Sequence, residues 1–128
     1  MRRLPRAAVA SLFSSGDLVI ANDAATLPAS LAGVHSTSGE PFEVRLAGWV
    51  IPRDPTRFDA IAFGAGNHRT RTEDRPPPPL LSTGDRLGLG TLDAVVEHLF
   101  DPPRLFRLRF LADRATVLAG LVQSGRPI

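Results

Sequence analysis

Residues 104 to 111 read RLFRLRFL. Phe106, Leu108 and Phe110 alternate with Leu105, Arg107 and Arg109, so one face of an extended segment is aromatic and aliphatic and the other is basic. A period of two is the feature that most narrows the fold, because it suits a half-buried strand and no helix. It recurs in short runs bounded by Gly, Pro, Asn and Asp. In residues 42 to 50, after Pro41, Phe42, Val44 and Leu46 share one face and Glu43, Arg45 and Ala47 the other. Residues 30 to 35, 59 to 63, 86 to 89 and 91 to 100 complete the set, and Asp101, Pro102 and Pro103 form a turn that closes a hairpin between the last two segments. The sequence GDRLGLG, 84 to 90, lacks the Lys-Ser/Thr of a phosphate loop and precedes no helix, so it reads as a bulged strand and turn. Six strands at hairpin spacing, with helices only at the ends, predict a mainly β fold: a small six-stranded antiparallel β-barrel with short flanking N- and C-terminal helices. Its expected core is Val44, Leu46, Ile61, Val95, Phe106, Leu108 and Phe110.

Pro5 suits a first helical turn, and residues 6 to 13 place Val9, Leu12 and Phe13 on one face of a short amphipathic helix. The run DLVIA, 17 to 21, reads as a strand covered on both faces; Asn22 and Asp23 turn the chain after it, and Pro28 interrupts regular pairing. Residues 64 to 84 are a long connection carrying Gly64, Gly66, a charged run at 68 to 75 and four prolines at 76 to 79. The prolines are expected to be an exposed polyproline II spacer. Asp113 is the expected N-cap of a helix over 114 to 123, where Val117, Leu118, Leu121 and Val122 recur at helical spacing.

The chain is 128 residues long, 43% hydrophobic and 22% charged, which is one globular domain's worth of material. It has no cysteine, which excludes disulfides, thiolate metal sites and cysteine nucleophiles and fits a reducing cytoplasm, the expected location. No apolar run is long enough for a membrane span. The pI near 10.9 coexists with a net charge of only +2, because all 15 basic residues are arginine and there is no Lys, Tyr or Cys to titrate below it. Exclusive arginine with many Ala, Gly and Pro has the look of a GC-rich coding bias. Arginine clusters are also the footprint of RNA contact. His35, His68 and His98 have no ligand spacing, so no metal is expected; Asp85, Asp93, Glu97 and Asp101 give no identifiable acid/base pair, and the Ser and Thr residues no nucleophile elbow.

The segment 16 to 30, GDLVIANDAATLPAS, resembles the signature GDLLVxNNTRVIPAR of the S-adenosylmethionine:tRNA ribosyltransferase-isomerase family of queuosine biosynthesis. Gly16, Asp17, Leu18, Asn22, Pro28 and Ala29 fall in register with it. Gly39, Glu43 and Val44 are similar to that family's GxxxEVLL strand. Residues 81 to 89 look like its kPGxxLxl segment, and residues 105 to 110, an apolar helix and Gly125-Arg126-Pro127 are similar to its close, so the likeness runs along nearly the whole chain.

The resemblance implies a β-barrel attached to a larger α/β domain, in an enzyme that transfers and isomerises the ribosyl of S-adenosylmethionine onto a 7-deazaguanine in tRNA. On this reading residues 1 to 33 are a remnant of the α/β domain and residues 34 to 128 the barrel with its C-terminal helix. The partners are tRNA and the α/β domain on a separate chain. S-adenosylmethionine is the co-substrate, no cofactor is bound by this chain alone, and Asn22, Asp23 and Pro28 face substrate. Two departures stand against full activity: Ala24 and Ala25 replace Thr-Arg, and Ser30 replaces the final Arg. The chain is therefore expected to be inactive as an isolated fragment. Two non-catalytic readings compete. In one, a small RNA-binding barrel tracks phosphates with Arg45, Arg69, Arg71, Arg107 and Arg109 while Trp49 or Phe63 stacks a base. In the other, the 114 to 123 helix docks a protein partner.

Overall fold

The computed structural model describes residues 5 to 18, 26 to 67, 69 to 102 and 104 to 128. Strands β1 (Ser30–His35), β2 (Pro41–Trp49), β3 (Arg57–Gly64), β4 (Arg86–Leu89), β5 (Leu92–Leu99) and β6 (Leu105–Phe110) form a closed barrel in the order β1-β2-β3-β6-β5-β4. Every neighbouring pair is antiparallel. Two three-stranded meanders are joined by the long connection between β3 and β4, and the β1–β4 pairing closes the cylinder, leaving no free sheet edge. The barrel begins at Ser30 rather than at residue 34. Ser30 already pairs with Arg45, so a division of the chain at 33/34 would cut through β1.

Inside, large side chains face small ones. Ala60 pairs with Phe106 and Ala94 with Phe110, while β3 tapers inward from Phe58 through Ala60 and Ala62 to Gly64. Val44, Leu46, Phe106, Leu108 and Phe110 are buried as expected, but Ile61 and Val95 are not in the interior. They occupy the outer face, half-buried, because Phe106 and Phe110 leave room only for Ala60 and Ala94 opposite them, and a strand's parity is all or nothing.

Bulges at Leu46/Gly48 and Val96/His98 shift parity in β2 and β5. The first turns Trp49 to the same side as Phe58, whose ring it meets edge-on at 6.4 Å across the barrel mouth. In contrast β4 pairs with β5 in unbroken register. The GDRLGLG segment is a plain strand ending in a two-residue turn, with Gly90 at φ +62°, the left-handed region that glycine enters without strain.

Helix α1 (Arg114–Ser124) starts at Asp113, whose side chain accepts from the Thr116 N–H at 2.8 Å; that backbone hydrogen bond holds the carboxyl below its usual range. Val117 and Leu121 are fully buried against the barrel core, while Leu118 is half-buried and Val122 exposed. At the other end, Arg6–Leu12 is a 3₁₀ helix with Val9, Leu12 and Phe13 exposed. Asp17 and Leu18 are not in a strand and Leu18 is exposed; the rest of the DLVIA run, together with Asn22, Asp23, Ala24 and Ala25, lies outside the described residues. The tetraproline is not a fully exposed spacer either: Pro76 and Pro77 are exposed, but Pro79 is buried.

Truncating Phe106 to Ala is expected to cost about 3–5 kcal/mol, since the alanine across from it cannot fill the cavity. Ile61→Ala should cost roughly 1 kcal/mol, as its side chain already meets solvent. Denaturant melts of the two variants check the assigned faces, and equal losses would refute them.

Candidate functional site

The outward row Ala32, Glu43 and Phe63 crosses β1, β2 and β3, and by strand parity Glu43 should be a solvated carboxylate. Instead it is 1% exposed. The β3–β4 connection folds back over this row. Gly64 permits the return: a Cβ there would stand 1.8 Å from the Pro76 carbonyl oxygen, so no other residue fits the crossing.

Under this cover both oxygens of the Glu43 carboxylate face positive or donor groups. Oε1 accepts from Ser30 Oγ and from Arg45 Nε, each at 2.7 Å. Oε2 lies 2.6 Å from Arg75 Nη1 in an ion pair whose two side chains are each 2% exposed, and these two atoms have no aligned hydrogen-bond partner among the described residues. The Arg45 and Arg75 guanidiniums both lean on the Phe63 ring, at 4.4 and 5.3 Å from its centroid. Phe63 is thus committed to two arginines and is not open to a stacked base. Burial pushes the Glu43 carboxyl up, but the hydrogen bonds from Arg45 and Ser30 and the Arg75 guanidinium beside it outweigh it, and the net shift is downward from 4.5.

Arg75 also fixes the loop. Its guanidinium donates to the carbonyls of Asn67 and Thr70, while the Asn67 carbonyl accepts from the Thr70 N–H at 2.9 Å and the Asn67 side chain accepts from the Arg69 N–H at 2.9 Å. On the other side, the chain end pairs with β1: Ser30 and Arg126 exchange both backbone hydrogen bonds, at 3.0 and 2.8 Å. Between loop and chain end is a cleft of about 340 Å³, lined by Ser30, Ala32, Glu43, Gly66, Asn67, Arg69, Ser124 and Arg126.

The arginines expected to contact RNA do not form one surface. Arg107 donates to Asp59 at 2.8 Å, which raises the already high pKa of the guanidinium, and Arg109 and Arg57 share Glu97 at 2.8 and 3.2 Å. Arg45 is held by Glu43. Arg69 and Arg71 are exposed and have no carboxylate within 4.0 Å among the described residues; Arg69 lines the cleft, whereas Arg71 precedes Glu73 and Asp74. Pro28 is half-buried just ahead of β1. Asn22 and Asp23 lie outside the described residues.

A second polar cluster is structural. His35 is buried, with Nε2 3.0 Å from Asp85 and Nδ1 2.9 Å from Ser38, whose hydroxyl also lies 3.0 Å from the Glu40 carboxylate. The nearby N–H groups of Ser36 and Gly39 donate to backbone carbonyls, and the Glu40 N–H donates to the Ser38 hydroxyl at 3.3 Å. The cluster pins the β1–β2 turn to the start of β4. Among the described residues no three His, Asp or Glu side chains converge on a metal position, and no helix is long and apolar enough to cross a membrane.

The sequence pattern did not single out Arg75, Asn67, Ser124 or Arg126 as site residues. No protein-family model, curated protein or solved structure matches the chain.

Replacing Glu43 by Gln is expected to cost about 3–5 kcal/mol, because Arg75 is left buried and unpaired. The loss is pH-dependent. A carboxylate whose folded pKa is depressed contributes its stability above the unfolded value near 4.5 and loses it as pH falls through the lower folded value. Wild type and E43Q should therefore differ at neutral pH and converge in acid. A constant gap across that range in denaturant melts would contradict the burial of a charged Glu43.

Proposed function

We propose that the barrel belongs to a tRNA-modifying enzyme of the S-adenosylmethionine:tRNA ribosyltransferase-isomerase type, working in the cytoplasm. In this reading the barrel holds RNA, while ribosyl transfer takes place in a nucleoside site made with an α/β domain. One observation carries it. The two segments most similar to the family, the end of the 16 to 30 signature and the strand containing Glu43 and Val44, meet at Ser30 and Glu43, 2.7 Å apart. Where the family pattern has Arg, Ser30 supplies a hydroxyl, and Arg45 and Arg75 supply the positive charge that an arginine would bring to the same carboxylate. The departure at residue 30 is thus compensated in kind.

The assignment of Asn22, Asp23 and Pro28 to substrate rests on the resemblance alone. S-adenosylmethionine has no place inside the barrel, whose interior is filled by Phe58, Phe106 and Phe110, and a nucleoside needs a concave site that encloses most of it. For RNA, the ion pairs on β6 argue against Arg107 and Arg109 as the main contacts, leaving the side of the barrel bearing Arg69 and Arg126. A non-catalytic RNA-binding barrel uses the same residues and differs in having no ribosyl-transfer partner.

Filter binding with a tRNA carrying the 7-deazaguanine in its anticodon is expected to give saturable binding whose log affinity falls linearly with log salt, by roughly 0.7–0.9 per phosphate neutralised. Titration with S-adenosylmethionine alone should give no saturable heat. Failure to bind tRNA at low salt, or one-to-one micromolar binding of S-adenosylmethionine, would overturn the reading.

A further inference from the structure

We propose that the cleft between the 66–70 loop and the chain end is a ribonucleotide site that takes one phosphate and the adjoining ribose 2′-hydroxyl. The inference deepens the RNA reading above and rests on it. A volume of about 340 Å³ is at the lower end of the roughly 300–1,000 Å³ range of ligand clefts, enough for one nucleotide unit and no more. Its charge is one-sided. Glu43 in the floor is neutralised by Arg45 and Arg75, and Arg69 and Arg126 add two further guanidiniums at the wall, so an anion entering the cleft meets a net positive field.

The donors are set before a ligand arrives. Arg126 rides on a backbone bridged to Ser30, and Arg69 on a turn that Arg75 ties to the buried carboxylate, so neither anchor point needs ordering. The hydroxyls are distinguished by what they already do. Ser30 Oγ spends its proton on Glu43 and can only accept, which suits a ribose 2′-hydroxyl donating to it. Ser124 Oγ accepts from the Thr91 N–H at 3.2 Å and lies 3.2 Å from Thr91 Oγ1; with the Thr91 hydroxyl as donor of that pair, the Ser124 proton can be directed at a phosphate oxygen. Guanidinium forks match phosphate geometry, and an acceptor-only hydroxyl separates RNA from DNA. A cationic sulfonium nucleoside such as S-adenosylmethionine is disfavoured by the same field.

Equilibrium binding of the whole chain to a ribo-trinucleotide, its deoxy counterpart and full tRNA tests the site. The ribo form should bind roughly three- to ten-fold tighter than the deoxy form, and Ser30→Ala should erase the difference. Arg126→Ala and Arg69→Ala should each weaken both trinucleotides and tRNA by about ten-fold or more, while Arg114→Ala, on the exposed first turn of α1, leaves them unchanged. Thermal melts confirm that each variant is folded; the Arg126 side chain is exposed and only its backbone is in the bridge, so this variant remains informative if Ser30→Ala unfolds. Wild-type tRNA binding that survives both arginine substitutions, or equal affinity for ribo and deoxy forms, would overturn the cleft as the site while leaving the RNA reading standing. Absence of tRNA binding by the wild type would overturn both.

Discussion

A carboxylate taken out of water must be neutralised or protonated, and the burial of Glu43 governs how the outer half of this structure is arranged. Arg45, two residues along the same strand, reaches one oxygen. The other oxygen is met by Arg75 from the distant connection, and this ion pair draws the connection back across β2 and β3. Once there, the connection stands Gly66, Asn67 and Arg69 beside the chain end and creates the cleft. Arg75 serves both functions because its other donors go to the carbonyls of the 67–70 turn. Removal of the charge would therefore disturb the cleft wall as well as the fold.

The barrel beneath follows a different rule, steric rather than electrostatic. Four phenylalanines are buried in a six-stranded cylinder; Phe106 and Phe110 are accommodated by Ala60 and Ala94 and Phe42 by Gly33 and Gly64, and the two bulges bend β2 and β5 enough to close it. A filled interior moves any ligand site to the outside. Among the described residues the outer face carries ion pairs across β3, β5 and β6, and over β1 and β2 a recess.

Ion pairs also take up part of the arginine content, while Arg53, Arg69, Arg71, Arg86, Arg104, Arg114 and Arg126 are exposed without a carboxylate within 4.0 Å among the described residues. Five of the arginines named here, Arg45, Arg57, Arg75, Arg107 and Arg109, lie against carboxylates. Long-range attraction for a polyanion falls to the remainder, of which Arg69 and Arg126 line one cleft and Arg104 another. RNA recognition at one recess is a different proposition from a barrel coated in arginine, with fewer phosphates engaged and a shallower salt dependence.

By itself the sequence determined the strand set, the antiparallel barrel and the capped C-terminal helix, because alternation, turn residues and an N-cap at Asp113 are local and act over a few residues. It also marked Glu43 through the family resemblance, as one position in a strand. It did not determine which of two adjacent apolar residues faces inward, as at Ile61 and Val95, since that depends on the volume left by phenylalanines on other strands. Nor did it determine that Glu43 is buried or that Arg75, Asn67, Ser124 and Arg126 gather around it. Those contacts join segments far apart in the chain and arise only when the connection folds onto the closed barrel, so no local pattern records them.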